Sequence, residues 1–274
     1  LLVLVLWMAA PGAAADPPTP VPVSQERFVR LGFGLMPPGA ELAGTVASDF
    51  SPFSATLGPL DPSYEFFGIP SGYEMEAAQT SSIAAQGASG DLFAGSSKDL
   101  GQDLLGPHSA PSTSRFEYVF DVSEGGGWYE LQTGLVYQDY TIPTPGGGQF
   151  THRGTGQVLL ERISPDAVVL ADRTSHCAQG CLDDGPLPVG RYRLAAIAET
   201  PTLPDFDETE DLEWSVHTTF TLTLTDPPPP PAAPALPRGG LLLLALLLAG
   251  AGWGRSSTRR SRSWPPASRL RRNV

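Results

Sequence analysis

The sequence predicts an all-β protein: an antiparallel, jelly-roll-like β-sandwich followed by a single C-terminal transmembrane helix. Three observations predict it. Short stretches of strict apolar–polar alternation recur through the second half, separated by Gly- and Pro-containing turns. The alternation is one-sided, so each sheet keeps a solvated face, which argues against a parallel α/β sheet. Finally, a leucine-rich block, residues 239–254, holds no charged residue.

The body, residues 25–226, divides into a loop-rich part (25–111) and a part with clear strands (112–226). Residues 25–35 alternate weakly and predict a first strand, 36–39 (Met-Pro-Pro-Gly) a turn, and 41–48 a second strand. Over 51–72, prolines and glycines come every few residues, with Phe53, Tyr64, Phe66 and Phe67 between them. Loops around a small apolar cluster are expected there. Residues 74–106 are rich in Ala, Ser and Gly. Strand pairing is expected only over 82–85, and one or two helical turns over 99–105.

The second half is more explicit. Phe116, Tyr118, Phe120 and Val122 alternate with Arg115, Glu117 and Asp121, the pattern of a half-buried strand. A triple-glycine turn (125–127) leads into a long β-favouring run, 128–142, with Leu131, Leu135 and Tyr137 on one side, and 143–148 is another turn. Residues 157–163 and 167–172 predict a hairpin around Ser164 and Pro165. A turn over 185–190 precedes 191–199, where Tyr192, Leu194, Ala196 and Ala198 alternate with Arg191 and Arg193. In the last strand Trp214, Val216, Phe220, Leu222 and Leu224 face one way; Ser215, His217, Thr219, Thr221 and Thr223 face the other.

Charge is divided unevenly. The chain holds 29 Asp and Glu against 17 Lys and Arg. Every acid lies within residues 16–226 and eight arginines lie beyond, so the body sets 9 basic residues against 29 acidic ones, a net charge of −20. Such a surface repels nucleic acid, which is excluded as a partner.

The two ends read as addresses. Residues 1–15 (LLVLVLWMAAPGAAA) match the apolar region and small-residue cleavage site of a secretory signal peptide. The charged start of such a peptide is missing, and we expect the chain to be truncated at its front. Residues 16–24 form a Pro-rich extended lead. At the other end come a Pro-rich spacer with a sorting motif (227–238), an apolar helix (239–258) and an Arg-rich tail (259–274). Twenty residues of helix reach about 30 Å, the thickness of the hydrocarbon core. The arginines after the block, among them Arg255, Arg259, Arg260 and Arg262, place the tail in the cytoplasm and the body outside.

This three-part end resembles bacterial C-terminal sorting signals of the PEP-CTERM group, which exosortase-type enzymes process. The resemblance rests on Pro234, Ala235, Leu236 and Pro237 as the motif, the helix, and the basic end; no Pro-Glu-Pro is present. Gly239 and Gly240, directly before the leucines, are similar to the GlyGly-CTERM group, processed by rhombosortase. The resemblance implies an exported protein, handled by a sorting protease and destined for the cell envelope or surface, anchored at least transiently and released if processed. The strand order of the body, ending in Phe-Thr-Leu-Thr-Leu just before the signal, is also similar to the bodies of many PEP-CTERM proteins.

Few residues suggest chemistry. Cys177 and Cys181 read as a disulfide in an exported protein; the alternative is a metal site with His176 and Asp183, which lacks a second Cys or His pair. Asp205, Asp207, Glu208, Glu210 and Asp211 are candidate calcium ligands, but the glycine and spacing of an EF-hand loop are missing. No metal site or cofactor is assigned. Trp128, Tyr129, Tyr137, Tyr140, Tyr192 and Trp214 could include a sugar-stacking platform, although Tyr192 and Trp214 fall on core faces. The histidines are scattered, and no nucleophile elbow, P-loop or HExxH pattern occurs, so no catalytic residue is named. The expectation is a non-enzymatic exported surface protein of structural or interaction type, in contact with extracellular polymer. A carbohydrate- or calcium-binding adhesin module is the alternative, and a surface hydrolase the third reading.

Overall fold

The computed structural model describes residues 19–32, 41–60, 73–98, 111–123, 125–143, 149–200 and 212–226. The chain forms two compact units, Leu1–Pro227 and Pro228–Val274, and every described residue belongs to the first. That unit is all-β. Its strands are β1 (Val21–Gly32), β2 (Glu41–Val46), β3 (Phe53–Leu60), β4 (Tyr73–Ala84), β5 (Gly87–Lys98), β6 (Ser112–Val122) and β7 (Gly127–Gln138). There follow β8 (Tyr140–Pro143), β9 (Gln149–His152), β10 (Thr155–Ser164), β11 (Val168–Arg173), β12 (Cys177–Leu187), β13 (Gly190–Glu199) and β14 (Leu212–Thr225).

Two six-stranded sheets, all of whose pairs are antiparallel, carry the fold. Their orders are β11-β10-β13-β6-β1-β2 and β12-β7-β14-β5-β4-β3, and β8 with β9 forms a separate ribbon. The inward faces are the ones that alternation predicts. Phe116, Tyr118, Phe120 and Val122 of β6, Tyr192, Leu194, Ala196 and Ala198 of β13, and Val216, Phe220, Leu222 and Leu224 of β14 share one buried cluster. Phe116 and Phe220 meet across the two sheets with ring centroids 4.7 Å apart. Tyr118 stacks on Phe120, which stacks on Tyr192, at 5.0 and 5.7 Å. Burying such side chains contributes about 1.5–3 kcal/mol each, before the cost of ordering the chain. A smaller cluster, Val29, Leu31, Met75 and Ala77, lies between β1 and β4.

Polar side chains bond from sheet to sheet. The Gln79 amide, oriented by its surroundings, donates to Phe28 O and Arg115 O, both at 3.1 Å. Thr218 Oγ1 donates to Ile197 O at 2.9 Å, and Ser112 Oγ to Gly95 O at 3.0 Å. Tyr129 Oη donates to Leu170 O at 3.2 Å. Leu170 is the extra residue where the β10–β11 register slips, so its backbone lacks the regular ladder partner. Carbonyls have two lone pairs, so a sheet can accept these bonds and keep its own.

The first half departs from expectation. Residues 51–72 include a strand, β3, and of 74–106 the part up to Lys98 belongs to the long β4–β5 hairpin, paired without interruption from Tyr73 with Lys98 to Ala84 with Gly87. Low β-propensity hid these strands, but small residues suit their packing. A Cβ at Gly90 would stand 2.4 Å from the Phe220 ring, so the glycine makes room for the aromatic side chain paired opposite it. The Phe93 ring likewise covers Gly95. β1 begins at Val21, within the stretch expected to be a lead, because Val21 and Pro22 pair with Asp121 and Phe120. The run 128–142 is divided into β7 and β8. The hairpin about Ser164 and Pro165 is present as β10 and β11. The helical turns expected over 99–105 lie outside the described residues, as do the expected signal peptide and everything after residue 226. Among the described residues, no helix is long and apolar enough to cross a membrane.

Phe220→Ala should lower the free energy of unfolding by about 3–5 kcal/mol, because it opens a cavity where the two sheets meet. Thr221→Ala, one residue on and facing solvent, should change it by less than about 0.5 kcal/mol. Urea denaturation followed by tryptophan fluorescence checks both.

Candidate functional site

Cys177 and Cys181 form a disulfide, with their Cα atoms 6.1 Å apart, at the start of the edge strand β12. Cys177 pairs with Leu135 and Cys181 with Thr133 of β7, so three residues bulge out of the ladder between them. Gly180 closes this loop at φ +80°, a conformation that a Cβ disfavours. The metal alternative is not assembled. The two sulfurs are bonded to each other, and Arg173 Nε donates to Asp183 Oδ2 at 2.7 Å, with Nη2 on the other carboxylate oxygen. His176 packs beside Tyr137 instead, with ring centroids 6.5 Å apart. Among the described residues no group of three or more His, Cys, Asp or Glu is close enough to hold a metal. The calcium candidates Asp205, Asp207, Glu208, Glu210 and Asp211 lie outside them, as do the expected sorting motif and the Arg-rich tail.

The aromatic residues belong mainly to the core. Trp214, Tyr192 and Tyr129 are buried and Trp128 is half-buried, while Tyr140 begins β8. The Tyr192 hydroxyl donates to Pro188 O. Tyr137 Oη lies 2.8 Å from both Gly156 O and Thr174 O and fastens the second sheet to the first, with Arg153 over its ring at 5.0 Å. The stacked ring pairs among the described residues, Tyr118 with Phe120 and Phe120 with Tyr192, are buried.

The outer face of the second sheet is rich in hydroxyl groups. Thr80, Ser82, Ser89, Asp91, Thr219 and Thr221 line a shallow depression of about 430 Å³. Beside it His217 Nε2 lies 2.7 Å from Asp91 Oδ1, in an exposed pair. The outer face of the first sheet is charged. Arg191 makes a two-pronged contact with Asp121 at 2.7 and 2.9 Å, and Arg193 meets Glu161 at 2.7 Å. Arg115 contacts Glu117 at 3.1 Å. Leu159, Ala195 and Ile197 contribute to a depression of about 250 Å³ among these pairs. Exposed pairs of this kind are screened by solvent and contribute little.

Arg27 was not singled out by the sequence, yet it is fully buried. Its Nε donates to Gln25 Oε1 at 2.9 Å and its Nη2 to Ser51 O at 2.8 Å and to Asp49 O, so the guanidinium holds residues 49–51 against β1. Burial lowers its pKa and the Asp49 charge opposes that shift. The Asp49 carboxyl is itself held below its usual value, first by the Ser51 hydroxyl and then by the Ser51 N–H. The available signal was parity: Arg27 stands on the same face of β1 as Val29 and Leu31. Burial also pushes the Tyr118 phenol up to about 12, and its hydroxyl has no hydrogen-bond partner among the described residues.

Compared with known proteins, the chain matches no family model and no curated protein.

Two outcomes are expected. A thiol reagent should label neither cysteine of the folded chain before reduction and both after it, and the Cys177→Ser, Cys181→Ser double variant should lose no more than about 2 kcal/mol. Tyr118 ionises near pH 12 when folded and near about pH 10 when unfolded, so the unfolded state sheds its proton first. Its contribution is full below pH 10 and is lost as pH rises toward 12. Tyr118→Phe should flatten that part of the stability profile, measured by urea titration across the range.

Proposed function

We propose that this chain is an exported bacterial protein of structural or interaction type, delivered to the cell envelope or surface by its C-terminal segment and carrying no catalytic activity. The observation that carries the reading is the junction at residue 226. An all-β unit stapled by a disulfide ends in β14, and thirteen residues later the chain enters the uncharged block 239–254. Disulfides persist in oxidising compartments, which supports export. The block with its arginines supports an anchor spanning the membrane as a helix over 239–258, with the tail in the cytoplasm. The sorting signal is of the PEP-CTERM type, with a GlyGly-CTERM type as the alternative, and a sorting protease is the expected partner.

The strand order supports a jelly-roll reading of the body. Within the two sheets, β5-β14-β7-β12 and β6-β13-β10-β11 contain eight strands arranged as two interleaved Greek keys, and β1 to β4 extend both sheets on one side. The hydroxyl-rich face of the second sheet favours a second reading, an adhesin module that contacts carbohydrate in the extracellular matrix. Its depression near Thr219 and Thr221 is broad and shallow, suited to an extended chain.

Cell fractionation of the full chain and of one lacking residues 239–274 tests the delivery. The full chain should partition with the envelope and the shortened one should be released into the medium. Equal release of both, with or without a sorting enzyme in the host, would overturn the proposal. Mass spectrometry of the mature C-terminus should place any cleavage near Pro237 or at Gly239 and Gly240.

A further inference from the structure

One end of the sandwich gathers most of the exposed apolar side chains. At this end the first sheet sets Val21 beside Asp121, Val122 beside Gly190, Ser164 beside Arg191, and Val168 beside Arg162. In the second sheet Trp128 stands opposite Thr225, and Gly127 opposite Leu187. β6 passes to β7 and β12 to β13 here, so the two sheets share the end. Of the ten large hydrophobic side chains that are exposed among the described residues, six lie on it: Val21, Val23, Ile163, Val168, Val169 and Val189, each between 39% and 57% exposed. Scattered exposed valines need no explanation, but a gathering at one end does.

Local geometry produces the gathering. Val23 and Ile163 are each the extra residue at a slip in register, between Pro22 and Ser24 and between Arg162 and Ser164. A bulge re-aims its side chain, and these two are exposed at strand ends where regular pairing would have alternated them with the core. Val189 and Val168 sit beside strand ends, after Pro188 and after the turn at Pro165. The charges of Arg191 and Asp121 within this end neutralise each other.

The end is also where the chain departs. β14 finishes at Thr225 in this rim, and residues 226–238 separate it from the apolar block. We infer that this end of the domain faces the lipid, with the six aliphatic side chains resting in the headgroup–acyl boundary of the membrane that holds the anchor. The inference rests on the anchored reading above. A rim of valines would bind lipid weakly alone. Tethering changes that, because thirteen residues span about 40 Å as polyproline helix and hold the end at an effective concentration of about millimolar.

The test uses the full chain, disulfide intact, in vesicles of phosphatidylcholine alone and of phosphatidylcholine with phosphatidylglycerol. An environment-sensitive fluorophore is placed at Val189→Cys in one preparation and at Thr155→Cys, exposed at the opposite end, in another. Both should float with the vesicles. Emission from position 189 should shift to the blue, and nitroxide lipids should quench it several-fold more than emission from 155. A Val168→Asp, Val169→Asp variant, checked for fold by circular dichroism, should still float but lose the excess quenching at 189. Flotation with equal quenching at both positions overturns the inference and leaves the anchor standing. Failure to float overturns the anchor and the inference with it. A blue shift at 189 that appears without lipid and grows with protein concentration assigns the rim to a second copy of the chain and also overturns the lipid contact.

Discussion

The contact between Phe116 and Phe220 joins the strands on which both sheets depend. β6 is bonded on one side to β13 and on the other to β1, while β14 lies between β7 and β5. Neither is an edge. β14 is also the last strand of the unit, so the second sheet remains in two pieces until residue 225 is available. Pairing of this kind is long-range and pays its loop-closure entropy before contacts compensate it. On the export reading proposed above, the body closes only after nearly all of it has arrived. The strand that closes the core is then the one joined to the terminal segment.

Around that contact, irregularities in the ladders do specific jobs. The slip at Leu170 frees a carbonyl for Tyr129, and the slips at Val23 and Ile163 expose aliphatic side chains at the end where the chain leaves. The break between Cys177 and Cys181 interrupts an edge strand and is closed by the disulfide, a feature that blunts edge-to-edge pairing. Arg27 brings a formal charge into the interior between sheets and answers it chiefly with backbone carbonyls and an amide rather than a direct carboxylate contact.

The surface has consequences for partners. Arg115, Arg173, Arg191 and Arg193 each pair with a carboxylate, and Arg153 holds Asp139 with two bonds. Five of the nine positive charges of the body are therefore engaged with carboxylates, against 29 acids. An anionic polymer meets net repulsion, whereas a neutral polyhydroxyl chain meets the Thr and Ser face of the second sheet without a charge penalty. Among the proposed carbohydrate partners this favours a neutral chain over an anionic one.

Much of the second half was legible because period-two alternation needs no partner to be read. Phe116 to Val122, Tyr192 to Ala198 and Trp214 to Leu224 present the buried faces that their spacing implies. The cysteine pair was legible by proximity. The first half was not: β4 and β5 hold Ala, Ser and Gly, whose preferences are weak, and only the rings of Phe220 and Phe93 explain why glycines suit them. Arg27 was hidden because a single charged residue in a strand says nothing about the carbonyls of a distant turn. The end-rim valines were hidden because strands far apart in sequence bring them together. The sequence by itself determined the all-β class and the inward faces of the regular strands. These follow from local composition and spacing. Tertiary structure decided which small-residue segments became strands, where the ladders slip, and which side chains gather where the chain departs. Those depend on pairing across long stretches of chain, and local propensity does not encode such pairing.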